Sequence, residues 1–271
     1  MDLKWLAQAG MVVLGCGKMG SAMLAGWLDS GLPAQAITVL EPKPSDWLKS
    51  IAGLRLNAEL PANPGLVLIA VKPQMMADAL PGLGRLGGSS TLFVSVAAGI
   101  SIGHYESVLG ATTPVIRAMP NTPAAVGRGI TALVGNSCVT ADQLALSTVL
   151  MSAVGDVVML DSEAQMDAVT GVSGSGPAYV FYLIEALAAA ARAEGLPEHL
   201  AQRLAAATVS GAGELARQAS ETPEQLRINV TSPNGTTAAG LAVLMDSETG
   251  LTPLIRRTVA AAANRSRELG A

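Results

Sequence analysis

Apolar and polar positions follow two different periods along this chain, and the change falls near residue 163. Before it, short blocks dominated by Val, Ile and Leu recur at 11–15, 37–40, 66–71, 91–96 and 114–118. Strands buried on both faces read this way. Amphipathic stretches at 18–30, 45–52, 74–81 and 101–109 fill the intervals as helices. Repeated strand–helix–strand units imply a parallel sheet with right-handed crossovers. Strand-like pieces at 130–134 and 155–160, flanking a helix at 140–152, extend that sheet. After residue 163 strand signals cease, and 164–171, 175–194, 197–219, 223–229, 236–246 and 251–268 read as helices. Gly195 ends one of them and Pro197 suits the first turn of the next. The expected plan is a doubly wound α/β domain over 1–162 and an all-α domain over 163–271.

Composition narrows this plan. Hydrophobic residues make up 50% and aromatics only 3%, so the core must be aliphatic and closely packed. Mean hydropathy is positive. Yet Gly, Pro or charge interrupts every apolar stretch before the ~20 residues a membrane span needs. The start, Met1-Asp2-Leu3-Lys4-Trp5, does not read as a signal peptide, because the next apolar run leads straight into a glycine turn. A net charge of −4 without a basic cluster argues against nucleic acid as a partner. Cys16 and Cys138 have no metal-type spacing, and a reduced, cytoplasmic protein is expected. His104 and His199 sit in surface-like helical contexts, so no metal site is expected.

The glycine turn carries the chemistry of the first domain. Val12-Val13-Leu14-Gly15-Cys16-Gly17-Lys18-Met19-Gly20 is a strand, a turn and a helix start, with Gly15, Gly17 and Gly20 in G-x-G-x-x-G spacing. The first glycine permits the tight turn, the second lets a pyrophosphate approach, and the third lets helix pack on strand. The helix N-terminus offers free N–H groups to the phosphates. This is a Rossmann-type dinucleotide site, although a glycine-rich turn in an unrelated α/β domain would look similar.

The other strand ends refine it. Glu41 closes the second strand, where a carboxylate bonds the adenosine ribose and repels a 2′-phosphate, which argues for NADH. Lys43 stands two residues on and offsets that charge, so NADPH and NADH both stay open; alternatively Glu41 caps the next helix. Lys72, in Ala70-Val71-Lys72-Pro73 after the buried strand, meets phosphate or snorkels to water. Ala97-Ala98-Gly99 is a small-residue turn that suits either a flat ligand ring or a closely packed helix.

Three longer motifs add a family resemblance. They are Arg117-Ala118-Met119-Pro120-Asn121-Thr122-Pro123, the run from Asp167 through Gly171-Val172-Ser173-Gly174-Ser175-Gly176-Pro177 to Tyr179, and Asn229-Val230-Thr231-Ser232-Pro233-Asn234-Gly235-Thr236-Thr237. With the glycine turn and Val71-Lys72-Pro73, the chain closely resembles the Δ1-pyrroline-5-carboxylate reductases over nearly its whole length. The resemblance implies hydride transfer from NADPH or NADH to the C=N carbon of 1-pyrroline-5-carboxylate, giving L-proline. It also implies a homodimer joined through helical domains, with decamers as a further assembly.

Site residues follow from the same resemblance. Thr237 matches the family's threonine near the substrate ring nitrogen, and the N–H groups of Gly235, Thr236 and Thr237 make a carboxylate cradle at a helix start. Ser232 or Asn234 capping that helix is the plainer reading of the same turn. Glu163 matches a carboxylate near the substrate, or else is a helix-start acid favoured by the dipole. Ser175 lies in a substrate-side loop or a sharp helix–helix junction. Asn57 and Asn229 match cofactor contacts, and Met119 with Asn121 borders the nicotinamide, although Met119 also suits core filling. Asn234 departs from the family's Ser-Pro-Gly-Gly, and Glu41 stands where the family carries a hydroxyl. Two other classes compete. A β-hydroxyacid-type dehydrogenase uses a helical-domain lysine, and this chain has no lysine after Lys72. A dinucleotide-binding protein without activity would be favoured by a degraded Thr237 loop.

Overall fold

The computed structural model describes residues 1–270. The chain divides into two compact units, Met1–Gly174 with the chain from Ala262 onward, and Ser175–Ala261. In the first unit the elements are α1 (Leu3–Ala9), β1 (Met11–Leu14), α2 (Lys18–Asp29), β2 (Ile37–Leu40), α3 (Asp46–Ser50), β3 (Arg55–Leu56), β4 (Leu66–Ile69), α4 (Met76–Ala79), β5 (Leu92–Ser95), α5 (Ile102–Leu109), β6 (Val115–Met119), β7 (Gly129–Gly135), α6 (Ala141–Ser152), β8 (Gly155–Met159) and α7 (Met166–Val169). One sheet holds the strands in the order β3-β2-β1-β4-β5-β6-β7-β8. β1 lies between β2 and β4, so the strand order reverses direction beside the glycine turn, where open α/β sheets bind ligands.

Alternate residues of β1 feed different cores, which is why the fold is layered. Met11 and Val13 join Met23, Trp27, Ile37 and Leu150 on one face. Val12 and Leu14 join Val67, Phe93 and Tyr105 on the other. A strand covered on both faces needs apolar side chains at every position, hence the unbroken runs. Trp27 Nε1 donates to the Leu150 carbonyl at 2.8 Å, giving the buried indole its partner and tying α2 to α6.

Three details differ from expectation. β7 runs antiparallel to β6, so the sheet is not wholly parallel. The linking segment 120–128 holds only the tight helical turn Thr122–Val126, too short for a parallel crossover. Asn121 fixes the reversal, its buried Oδ1 accepting the Ile130 N–H at 3.0 Å. The opening residues form α1, capped by Asp2 Oδ1 accepting the Trp5 N–H at 2.8 Å. Finally, Thr170–Gly174 continues the helical path as a π turn, where a loop or sharp junction was expected.

The second unit contains α8 (Gly176–Ala193), α9 (Glu198–Gln218), α10 (Pro223–Asn229) and α11 (Thr236–Leu244). α12 (Leu251–Leu269) starts in this unit and ends in the first. Its buried side chains are few and small: Ala188, Ala201 and Ala205. Phe181 and Tyr182 on α8 are 57% and 70% exposed. Large exposed aromatics on an apolar helix mark an association surface rather than a finished core. Among the described residues, no helix is long and apolar enough to cross a membrane.

Candidate functional site

The three turn glycines serve three separate purposes. Gly15 has φ +85, and a Cβ there would lie 2.8 Å from Val71 Cγ1 and 3.0 Å from the Ala70 carbonyl. A Cβ on Gly20 would lie 2.8 Å from the Gly15 carbonyl oxygen, so this glycine brings α2 onto the turn. A Cβ on Gly17 would meet nothing within 4 Å. Sterics inside the protein therefore demand Gly15 and Gly20, while Gly17 faces open space. That pattern fits a turn shaped to admit a pyrophosphate. α2 starts at Gly17 without a side-chain cap, and its first internal bond runs from the Ser21 N–H to the Gly17 carbonyl at 2.8 Å. The Lys18, Met19 and Gly20 amides are thus free for an anion.

Glu41 reaches across to this turn. Its Oε2 accepts the Cys16 N–H at 2.8 Å and its Oε1 accepts the Lys43 N–H at 2.9 Å. Asn57 clamps the Glu41 backbone: Oδ1 accepts its N–H at 2.8 Å and Nδ2 donates to its carbonyl at 2.9 Å. Asn57 has φ +50, a left-handed conformation that Asn tolerates. The alternative that Glu41 caps the following helix does not hold, because Ser45 caps α3, its hydroxyl accepting the Leu48 N–H. The Cys16 thiol is buried beside Ser21, with Sγ 3.6 Å from Oγ. Burial pushes its pKa up, the Ser21 contact opposes this, and the nearby Glu41 charge adds to the rise. A thiol held protonated in this way is a poor nucleophile.

The remaining strand ends surround the same edge. Lys72 is exposed at the end of β4 and Ala97-Ala98-Gly99 follows β5. The end of α12 packs on that turn, since a Cβ on Gly99 would lie 3.1 Å from Leu269 Cβ. Gly99, with φ +78, therefore meets the packing demand of a helix. Met119 packs against Gly174, where a Cβ would come within 2.5 Å of Met119 Cε. A cavity of about 550 Å³ along α2 is lined by Lys18, Ser21, Trp47 and Val126. It shares Lys18 with the glycine turn but includes none of Gly15, Glu41, Lys72 or Ala97, so it runs along α2 away from the other strand ends.

A part-buried polar network below this edge holds Glu163, which was expected near the substrate or as a helix-start acid. Arg117 Nη1 donates to Glu163 Oε1 at 2.7 Å, and the same oxygen accepts the Ile102 N–H at 2.9 Å. On β5, Ser95 shares a 2.5 Å hydrogen bond with Tyr105 and accepts the Ala97 N–H at 3.2 Å. Burial pushes the Tyr105 pKa up to about 12, only partly opposed by the Ser95 bond and the Arg117 charge. Tyr105 is thus a fixed hydroxyl rather than an acid or base near neutrality. An arginine inside an apolar strand was the visible signal for this network.

In the second unit, the 232–237 loop ends in an uncapped helix. Asn234 has φ +58 and makes the turn that a glycine would otherwise make. The N-cap of α11 is Gly235, and neither Ser232 nor Asn234 caps it. The Gly235 N–H donates to the Ser232 carbonyl at 3.1 Å, so the outward cradle begins one residue later than expected. α11 forms its first internal bond from the Ala239 N–H to Gly235, which leaves the Thr236, Thr237 and Ala238 amides available. Thr236 and Thr237 are both exposed. Ser175 leads α8 without a side-chain capping bond, and Asn229 ends α10 with Oδ1 accepting from Gln225 at 2.8 Å. Among the described residues, no three His, Cys, Asp or Glu side chains gather as a metal site.

A Rossmann-like unit with a dinucleotide-type turn, joined to a helical unit, defines the chain as an NAD(P)-type oxidoreductase. Residues 11–99 match the family of NADP oxidoreductases described as coenzyme F420-dependent, and 163–269 match the pyrroline-5-carboxylate reductase dimerisation family. The chain is 43% identical to a Synechocystis pyrroline-5-carboxylate reductase, over 95% of this chain and 97% of the relative. It is 40% identical to the Pseudomonas aeruginosa protein of that name, over 94% and 95%. The Coxiella burnetii reductase structure superposes with a TM-score of 0.90 at 34% identity, covering 97% of this chain and 98% of that one. A Plasmodium falciparum pyrroline carboxylate reductase with NADP bound gives 0.83 at 27% identity, covering 97% and 98%. The chain belongs to the pyrroline-5-carboxylate reductase family.

Proposed function

We propose that this chain reduces the C=N bond of 1-pyrroline-5-carboxylate to L-proline, the last step of proline biosynthesis. The observation that carries this reading is the pairing of two anion-ready helix starts in one family member. One follows the open Gly17, and the other opens at Thr236 without a side-chain cap.

The first holds the pyrophosphate of NAD(P)H, which when bound supplies the hydride. Lys18, Met19 and Gly20 offer their amides, and Lys72 and the Ala97–Gly99 turn form the neighbouring strand ends. The second holds the substrate carboxylate on the Thr236 and Thr237 amides, so no buried arginine is required. The Thr237 hydroxyl orients the ring nitrogen. A protonated C=N accepts hydride more readily, and the proton arrives with the substrate or from water. Glu163 keeps one oxygen on Arg117 and Ile102, and in this reading its carboxylate holds water or balances the iminium charge. Ser175, Met119, Asn121 and Asn229 complete the contacts in this reading.

The working protein is a cytoplasmic homodimer joined through the helical domain over 163–271, with the dinucleotide domain over 1–162 and decamers as the larger assembly. The exposed Phe181 and Tyr182 of α8 support the dimer, and the free state of both cysteines suits a reducing compartment. The substrate is the small molecule alone, with no nucleic acid or membrane involved. The test is loss of reduced-nicotinamide absorbance when purified protein meets 1-pyrroline-5-carboxylate with NADH or NADPH. Consumption with formation of proline supports the reading, and no consumption with either cofactor overturns it.

A further inference from the structure

We propose that Glu41 makes this chain select NADH over NADPH. The inference rests on the dinucleotide site of the proposed function and concerns a choice that the reaction itself leaves open. The carboxylate follows β2 directly, beside the glycine turn, where the adenosine ribose of a dinucleotide lies in this fold. It is fixed from three sides. Oε2 is held by the Cys16 amide, Oε1 by the Lys43 amide, and its backbone by both ends of the Asn57 amide. The Cys16 peptide is itself fixed, because its carbonyl accepts the Ser21 hydroxyl at 3.0 Å.

An ionised carboxylate accepts about four hydrogen bonds and donates none. Two acceptor positions are filled by backbone amides, and the others suit the two hydroxyls of a ribose. A 2′-phosphate is also acceptor-only, so no proton lies between it and Glu41. Charge does not favour the phosphate either, because no net positive charge is there to meet it. The phosphate brings about −1.5 to −2, while Glu41 and Lys43 together sum to zero. Lys49 does not alter the balance, since Asp46 binds it at 3.1 Å. Moving Glu41 aside would break its bonds to the turn that must hold the pyrophosphate. Selectivity and turn geometry are therefore linked through one side chain.

Isothermal titration of the full chain with NAD⁺ and NADP⁺, without substrate, tests this. The wild type should bind NAD⁺ at least about tenfold more tightly than NADP⁺. Glu41→Ser should weaken NAD⁺ and strengthen NADP⁺, narrowing the ratio or inverting it. Glu41→Gln keeps the shape and the acceptor for the Cys16 amide while removing the charge, so it should narrow the ratio with less loss of NAD⁺ binding. Circular dichroism of both variants checks that they fold. Equal or tighter wild-type binding of NADP⁺, or a ratio unchanged in both variants, overturns the inference. Intact NAD⁺ selectivity in a protein that does not reduce the imine overturns the proposed reaction alone and supports this assignment.

Discussion

Arg117, in the middle of a buried strand, is neutralised by Glu163, forty-six residues later, through a 2.7 Å bond. The two ends of this pair are unequally placed, with side-chain exposures of 8% and 31%. Removing the glutamate strands a charge in the sheet, whereas removing the arginine leaves a carboxylate that water can reach. Glu163→Ala should therefore destabilise by about 3 kcal/mol and Arg117→Met by about 1–2 kcal/mol. Urea unfolding of the two variants checks the order. Equal losses would mean that solvent reaches Arg117 as readily as Glu163.

Tyr105 gives the chain an alkaline limit. Its folded pKa is raised from 10.0 to about 12, so the unfolded state loses its proton first as pH rises. Its contribution to stability is full below pH 10 and is lost progressively between 10 and about 12. Tyr105 should titrate late by ultraviolet absorbance. Tyr105→Phe should remove that late component and flatten the alkaline loss of stability, at a cost of about 1 kcal/mol near neutrality for the Ser95 bond. A late component that persists in the variant would show that it does not belong to Tyr105.

The strands were legible because burial on both faces leaves no polar positions to confuse the period. β1, β2, β4 and β5 all begin or end within two residues of expectation. The direction of β7 was not legible, since a strand's side-chain pattern is the same whichever way it runs. α1 was missed because its short apolar face merges with the run of β1. At the site, the roles of Gly15 and Gly20 follow from spacing, and the positive φ of Asn234 follows from its place in a turn. The links Cys16–Glu41 and Arg117–Glu163 join residues 25 and 46 apart, a relation that only the folded sheet creates.

Two alanine substitutions in the glycine turn should separate folding from binding. Gly20→Ala forces a Cβ to 2.8 Å from the Gly15 carbonyl, so α2 must shift. A loss of about 1–3 kcal/mol of stability is expected, with weaker dinucleotide binding following from it. Gly17→Ala meets no atom of the protein. Its stability should stay within about 0.5 kcal/mol of wild type, while NAD⁺ affinity falls about tenfold or more. Thermal unfolding and calorimetric titration of the same samples measure both quantities. Wild-type affinity in Gly17→Ala would remove the turn from the cofactor site.

The loop before α11 permits a similar separation. Asn234 sits at φ +58, which Ala adopts at a cost of about 1–2 kcal/mol and Gly adopts freely. Asn234→Ala should lose about that much stability and, by loosening the uncapped Thr236–Thr237 turn, raise KM for the imine. Asn234→Gly should keep both near wild type. Thr237 is exposed in the first turn of α11. Thr237→Ala should therefore leave unfolding unchanged within about 0.5 kcal/mol while kcat falls by about one to two orders of magnitude. Thr237→Ser restores the hydroxyl and should recover most of that loss. Because the serine lacks only a methyl group, a serine variant as slow as the alanine one would show that the threonine acts by packing and not by its hydrogen bond.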